Sequence, residues 1–216
     1  MSFPLIIVFS LTILIAGVIA LLLFKRINKL FHPFIYYIWL GCINELVSIA
    51  VIIKGHQTIV KNNIYALIAS FLLTWFFQKI GFFNNRKWLF ILLLAFLLSA
   101  WIFENFIYGS MTTNSTYFRI IFAIIIVIMS LFVINRLIFS NTDLLKNSIF
   151  VLCISFVIFF SFRVILQSFV IYGSGRPSDF LLNLYSVMGY ILLATNILHT
   201  IAILWMPKKA RYTRLF

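Results

Sequence analysis

The chain has 216 residues, of which 64% are hydrophobic and only 10% charged, against roughly half and a quarter in ordinary soluble domains. A water-soluble fold of this size would leave much of its apolar surface, including many of its 26 Phe, in contact with water, so a soluble globular domain is excluded and the bilayer is the first partner implied. The net charge of +13 does not point to nucleic acid, because the 17 Lys and Arg are scattered in short segments between apolar runs and read as topology determinants and contacts to anionic lipid headgroups.

A membrane-spanning helix needs about 20 mainly apolar residues. Seven stretches meet that requirement, over 4–24, 34–53, 64–83, 88–108, 118–137, 148–172 and 181–206. The expected architecture is all-α: a polytopic bundle of seven transmembrane helices forming a single transmembrane domain, with no soluble domain. The first stretch lacks a positive leading region and is too long for a signal-peptide core, so it is expected to stay as the first span.

The second span carries Glu45 near mid-membrane, with Asn44 beside it and Gly41 and Ser48 on its face. The third is entered through Asn62, Asn63 and Tyr65 and carries Lys79 near its far end, and the fourth holds Glu104 close to the outer boundary, where hydration is the simplest expectation. The fifth ends on Arg136, whose long side chain can snorkel to the interface.

Arg163 and Gln167 lie four apart on one face of the sixth span, and Asn183, Ser186 and Tyr190 recur on one face of the seventh. Counted at 1.5 Å per residue from the outer ends, Glu45 and Arg163 both lie about 12–13 Å deep, so they are expected at one level. An intramembrane charge costs at least about 2.5–3.5 kcal/mol on insertion scales and needs a partner or a function. Two readings follow: an ion pair that fixes helix packing, or an outward-facing polar ligand site formed by Glu45, Arg163, Gln167, Tyr190, Asn44 and Asn183. His199, deeper in the seventh span, is a candidate proton relay, although a neutral histidine bonded to a neighbouring helix explains it more simply.

Orientation follows from the basic residues. Lys25, Arg26, Lys29, Lys79, Arg86, Lys87, Arg136, Lys146, Lys208, Lys209, Arg211 and Arg214 fall at one end, and only Lys54, Lys61, Arg119 and Arg176 at the other. The positive-inside rule makes the first end cytoplasmic, with the N-terminus outside and the C-terminus inside. Cys42 and Cys153 sit within apolar runs, in no CxxC pair and with no His at ligand spacing, so neither a metal nor a cofactor is expected. The topology resembles that of rhodopsin-like proteins, but the seventh span has no lysine for a retinal Schiff base.

The expected function is a non-enzymatic receptor-like or signalling module of a bacterial inner membrane, using the outer polar cluster to bind a ligand or protein partner. Output through a membrane or cytoplasmic partner is implied by the short basic tail. A small proton-coupled transporter is the alternative. An intramembrane enzyme acting on a lipid or isoprenoid ranks third, because no DDxxD, HxxxH or GxSxG pattern occurs.

Overall fold

The structure is a computed structural model that describes residues 9–55, 57–83, 86–139, 144–172 and 178–207, with the side chains of Leu145, Ser178, Asp179, Leu181 and Leu182 outside the description. Arg176 and the basic tail residues Lys208, Lys209, Arg211 and Arg214 lie outside the described residues. The described chain is all-helical: α1 (Ile13–Leu23), α2 (His32–Ile53), α3 (Ile59–Lys79), α4 (Lys87–Ile102), α5 (Thr116–Phe139), α6 (Ser148–Tyr172) and α7 (Ser178–Trp205). A helical turn at residues 9–11 precedes α1, and a π-helical segment, Phe103–Tyr108, continues α4. Seven of these helical stretches are long and apolar enough to cross a membrane.

The helix ends follow local chemistry. Pro33 stands in the first turn of α2, where its missing N–H costs nothing. At the end of α3, Gly81 takes a positive φ of 90°; its N–H donates to Gln78 O at 3.1 Å and the next N–H, of Phe82, donates to Phe77 O at 3.0 Å. This is a Schellman ending, sealed by the Phe77 and Phe82 rings at 6.0 Å. At the start of α6 the Asn147 side chain accepts from Ile149 N at 3.0 Å, an N-cap. The turn after α1 is tied to the end of α7 by Asn28 N donating to Pro207 O at 3.3 Å.

Short connections make successive helices antiparallel. Packing then arranges six of them in a closed ring, α1–α2–α3–α5–α6–α7 and back to α1, while α4 lies outside in the angle between α3 and α5. The outer position of α4 shows in its exposure: only Leu97 and Trp101 are buried, and Trp88, Ile91, Leu92 and Phe96 face outward. Every helix carries large apolar side chains on its outer surface, such as Ile15 and Leu22 on α1 and Ile128 and Phe132 on α5, as expected of helices solvated by hydrocarbon.

Small residues let α1 approach α2 closely. A Cβ on Gly17 would stand 2.5 Å from Cys42 Sγ, and one on Gly41 2.6 Å from Ile13 Cδ1. The same contact brings the Trp39 indole N–H to Gly17 O at 3.2 Å. This is the small-residue packing used between helices where no hydrophobic driving force separates helix from lipid.

The third helix begins five residues before the stretch that hydropathy picks out. Val60, Lys61, Asn62 and Asn63 belong to it, and the polar groups of Lys61 and Asn63 are turned onto other helices and satisfied there. Hydropathy scores such residues as loop, whereas inside a bundle their partners remove the penalty.

A polar cavity inside the six-helix ring

The ring encloses a cavity of about 260 Å³ to which all six of its helices contribute and α4 does not. From α2 come Asn44, Glu45 and Ser48, from α5 Arg119, from α6 Arg163, and from α7 Thr195, Asn196 and His199. Glu45 and Arg163 therefore face one space from helices on opposite sides of the ring. They do not form an ion pair, since no carboxylate of a described residue lies within 4.0 Å of Arg163. That guanidinium lies over the Phe159 ring, 5.7 Å from its centre.

Arg119 is the member the sequence did not single out. It falls one turn into α5 and is 9% exposed. One guanidinium nitrogen, Nη2, donates to Asn63 Oδ1 at 3.0 Å, while Nε has no hydrogen-bond partner among the described residues. Asn63 is the hub that holds it. Its amide donates to Asn105 Oδ1 at 3.1 Å, Met111 O at 3.2 Å and Thr113 O at 2.7 Å, and its Oδ1 also accepts from Ser115 N at 3.2 Å. Trp101 Nε1 donates to the Asn63 carbonyl at 3.0 Å, which ties α4 to the same point.

The π-helical segment explains how α4 reaches inward. Its wider turn brings the consecutive residues Glu104 and Asn105 both to the buried side, while Phe103, Phe106 and Ile107 remain exposed. Asn105 joins the Asn63 hub and accepts from Ser115 Oγ at 2.8 Å. Glu104 accepts from Tyr117 N at 2.9 Å and Phe118 N at 2.6 Å. It is thus a buried carboxylate capping the first turn of α5 from a neighbouring element, not a hydrated boundary residue.

At the opposite wall, Lys61 Nζ donates to Asn44 O at 2.9 Å and bonds Ser48 Oγ, joining the first turn of α3 to α2. Asn44 Oδ1 has no hydrogen-bond partner among the described residues. Below, neither ring nitrogen of His199 has one. The His199 ring instead packs against Phe34 at 5.3 Å and Phe156 at 5.8 Å. With Phe76 they form a fully buried aromatic plug between the cavity and the end that carries Lys25, Lys79 and Arg136.

Of the residues picked out from sequence, Glu45, Arg163, Asn44 and His199 come together on this cavity. Gln167, Asn183 and Tyr190 are not on its walls: Gln167 is half-buried, Asn183 is exposed, and Tyr190 is 57% exposed with its ring against Phe9. Asn62 and Tyr65 from the start of the third span also line it, and in place of those three stand Arg119, Tyr37, Thr195 and Asn196. Asn196 also donates from Nδ2 to Thr12 Oγ1 at 2.9 Å, at the break between residues 9–11 and α1. Among the described residues no group of three His, Cys, Asp or Glu side chains is placed to hold a metal ion.

Compared with protein-family models, with curated proteins and with solved structures, the chain matches none.

Proposed function

We propose that the chain is a multi-pass protein of a bacterial inner membrane, N-terminus outside and basic end cytoplasmic, acting as a non-enzymatic receptor-like or signalling module. In this reading the ring cavity takes a small polar ligand from the outer side. The observation that carries it is the pair of guanidinium groups and the carboxylate, Arg119, Arg163 and Glu45, facing one cavity without pairing to one another. A static bundle lowers the cost of intramembrane charges by pairing them. Charges held apart around a cavity fit a third component between them.

The element to transmit binding is α1. It reaches the cavity through Ser10 and Ile13 on either side of the break at Thr12, and is held there by the Asn196 to Thr12 bond. A ligand touching Asn196 would alter that bond and move the start of α1 against α7, a change passed to a protein partner. The orientation rests on the positive-inside rule, and the cytoplasmic face so assigned would also contact anionic lipid headgroups.

The test is a ligand screen on the purified full chain in nanodiscs, following thermal unfolding by tryptophan fluorescence against small solutes of each charge type. A binding solute raises the midpoint by mass action. The rise should vanish in Leu192→Trp, which puts a large ring on the cavity wall. If no solute shifts the wild type, or the shift is unchanged in Leu192→Trp, the reading is wrong.

A proton-coupled transporter is supported by one observation: the cavity descends to His199, whose ring nitrogens lack partners among the described residues and whose ring packs against Phe34 and Phe156. Solute or proton flux in proteoliposomes would favour this second reading. An intramembrane enzyme has less support, because Glu104 is engaged on two backbone N–H groups and leaves Glu45 without a second acid among the described side chains.

A further inference from the structure

The cavity is chemically two-sided. On α2 it presents acceptors: the Asn44 Oδ1 that has no partner among the described residues and, next in sequence, the Glu45 carboxylate. On α5 and α6 it presents donors: the unpartnered Nε of Arg119 and the guanidinium of Arg163. Because α2 lies across the ring from α6, the two sets face each other over the cavity.

No carboxylate of a described residue lies within ion-pair distance of either guanidinium on the donor side. Glu104 accepts from the first turn of α5, and the side-chain hydrogen bond that Arg119 makes among the described residues is to a neutral amide. Guanidinium groups carry donors in a planar fork suited to a carboxylate or phosphate group. Arg119 is nine-tenths buried, and the Asn63 hub fixes its direction, so that part of the site is built before any ligand arrives.

Size sets a further limit. A cavity of about 260 Å³ suits a molecule the size of an amino acid.

We infer that the cavity is a site for a small zwitterionic group, with anionic oxygens against Arg119 and Arg163 and an ammonium against Asn44 and Glu45. This rests on the ligand-binding reading above and names its ligand class. Two sources carry that chemistry: a soluble amino acid, and the phosphate and ammonium of an ethanolamine lipid headgroup.

The experiment uses the full chain in nanodiscs, with thermal unfolding titrated by glycine, glutamate, acetate, choline and glucose. One arm uses phosphatidylcholine, whose headgroup has no N–H donor, and the other includes phosphatidylethanolamine. Glycine or glutamate should stabilise the wild type in phosphatidylcholine, with apparent affinity weakened ~tenfold or more in Arg163→Met and in Glu45→Gln. A lost charged hydrogen bond of about 1.5–3 kcal/mol gives that factor. Arg163→Lys, which keeps the charge and loses the fork, should fall between, and it reads the site if Arg163→Met does not fold. If instead phosphatidylethanolamine alone stabilises the wild type, and does so less in Arg163→Lys, the site takes the lipid headgroup.

Stabilisation by choline or glucose without any by the zwitterions would overturn the ligand class and leave the ligand-binding reading standing. Equal response to the zwitterions in wild type, Arg163→Lys and Glu45→Gln would place binding elsewhere and overturn the inference. No response to any probe in either lipid would remove both readings.

Discussion

The Asn63 side chain on α3 accepts from Nη2 of Arg119 on α5 at 3.0 Å, and this bond turns an arginine that the sequence places at the boundary of the fifth span into a wall of the central cavity. The same amide makes four further bonds, to Asn105, Met111, Thr113 and Ser115. Asn63 is therefore the point where the start of α3, the end of α4 and the start of α5 are joined.

Replacing Asn63 should be among the most damaging polar substitutions in the chain. Five bonds at about 0.6 kcal/mol each, the average found between membrane helices, give about 3 kcal/mol, and leaving Arg119 without its acceptor adds to that. Asn63→Leu should lose about 3 kcal/mol or more in reversible unfolding in mixed micelles, whereas Asn62→Leu should lose under about 1 kcal/mol. Similar losses for the two would show that the hub contributes little.

The close approach of α1 and α2 makes a non-additive pair. A Cβ on Gly17 would stand 2.5 Å from Cys42 Sγ, so Gly17→Ala alone should destabilise by about 1–3 kcal/mol through overpacking. Cys42→Ala removes the obstructing sulfur. The double variant should recover most of the loss, giving an interaction energy of about 1 kcal/mol or more in a double-mutant cycle. Strict additivity would mean that the helices separate freely at this point.

Glu104 caps α5 through two backbone N–H groups. Glu104→Ala should cost about 1–2 kcal/mol and speed amide exchange at Tyr117 and Phe118 specifically. Glu104→Gln keeps one acceptor oxygen and should lose less. Unchanged exchange at those two amides in Glu104→Ala would contradict the assignment.

These predictions also mark how far the sequence alone reaches. Seven spans follow from apolar runs, and for α6 the boundaries 148–172 coincide with the helix Ser148–Tyr172, because the Asn147 cap stands directly before the run. The start of α3 does not follow, since Lys61 and Asn63 score as loop residues until their partners on α2 and in the 105–115 segment are known. Depth counting brings Glu45 and Arg163 to one level, and both line one cavity. It cannot give ring order, so it does not place them across a cavity instead of in contact. Helical spacing grouped Asn183, Ser186 and Tyr190 on one face. The wall of the cavity on α7 is built instead from Met188, Leu192, Thr195, Asn196 and His199, whose spacings of three and four carry the signal one step deeper. Arg119 was obscured by its position one turn into α5, where a basic residue reads as interfacial.

In the proposed reading the cavity inside the six-helix ring takes its ligand from the outer side and is closed by the Phe34 and Phe156 rings beneath His199. The most direct test of this reading is sided labelling of Thr195→Cys in a Cys42→Ala, Cys153→Ala background, with a membrane-impermeant thiol reagent applied to sealed right-side-out and inside-out vesicles. The account predicts labelling from the outer side alone, and labelling from both sides once Phe34→Ala opens the plug. Labelling from the cytoplasmic side alone, or from neither side, would contradict it.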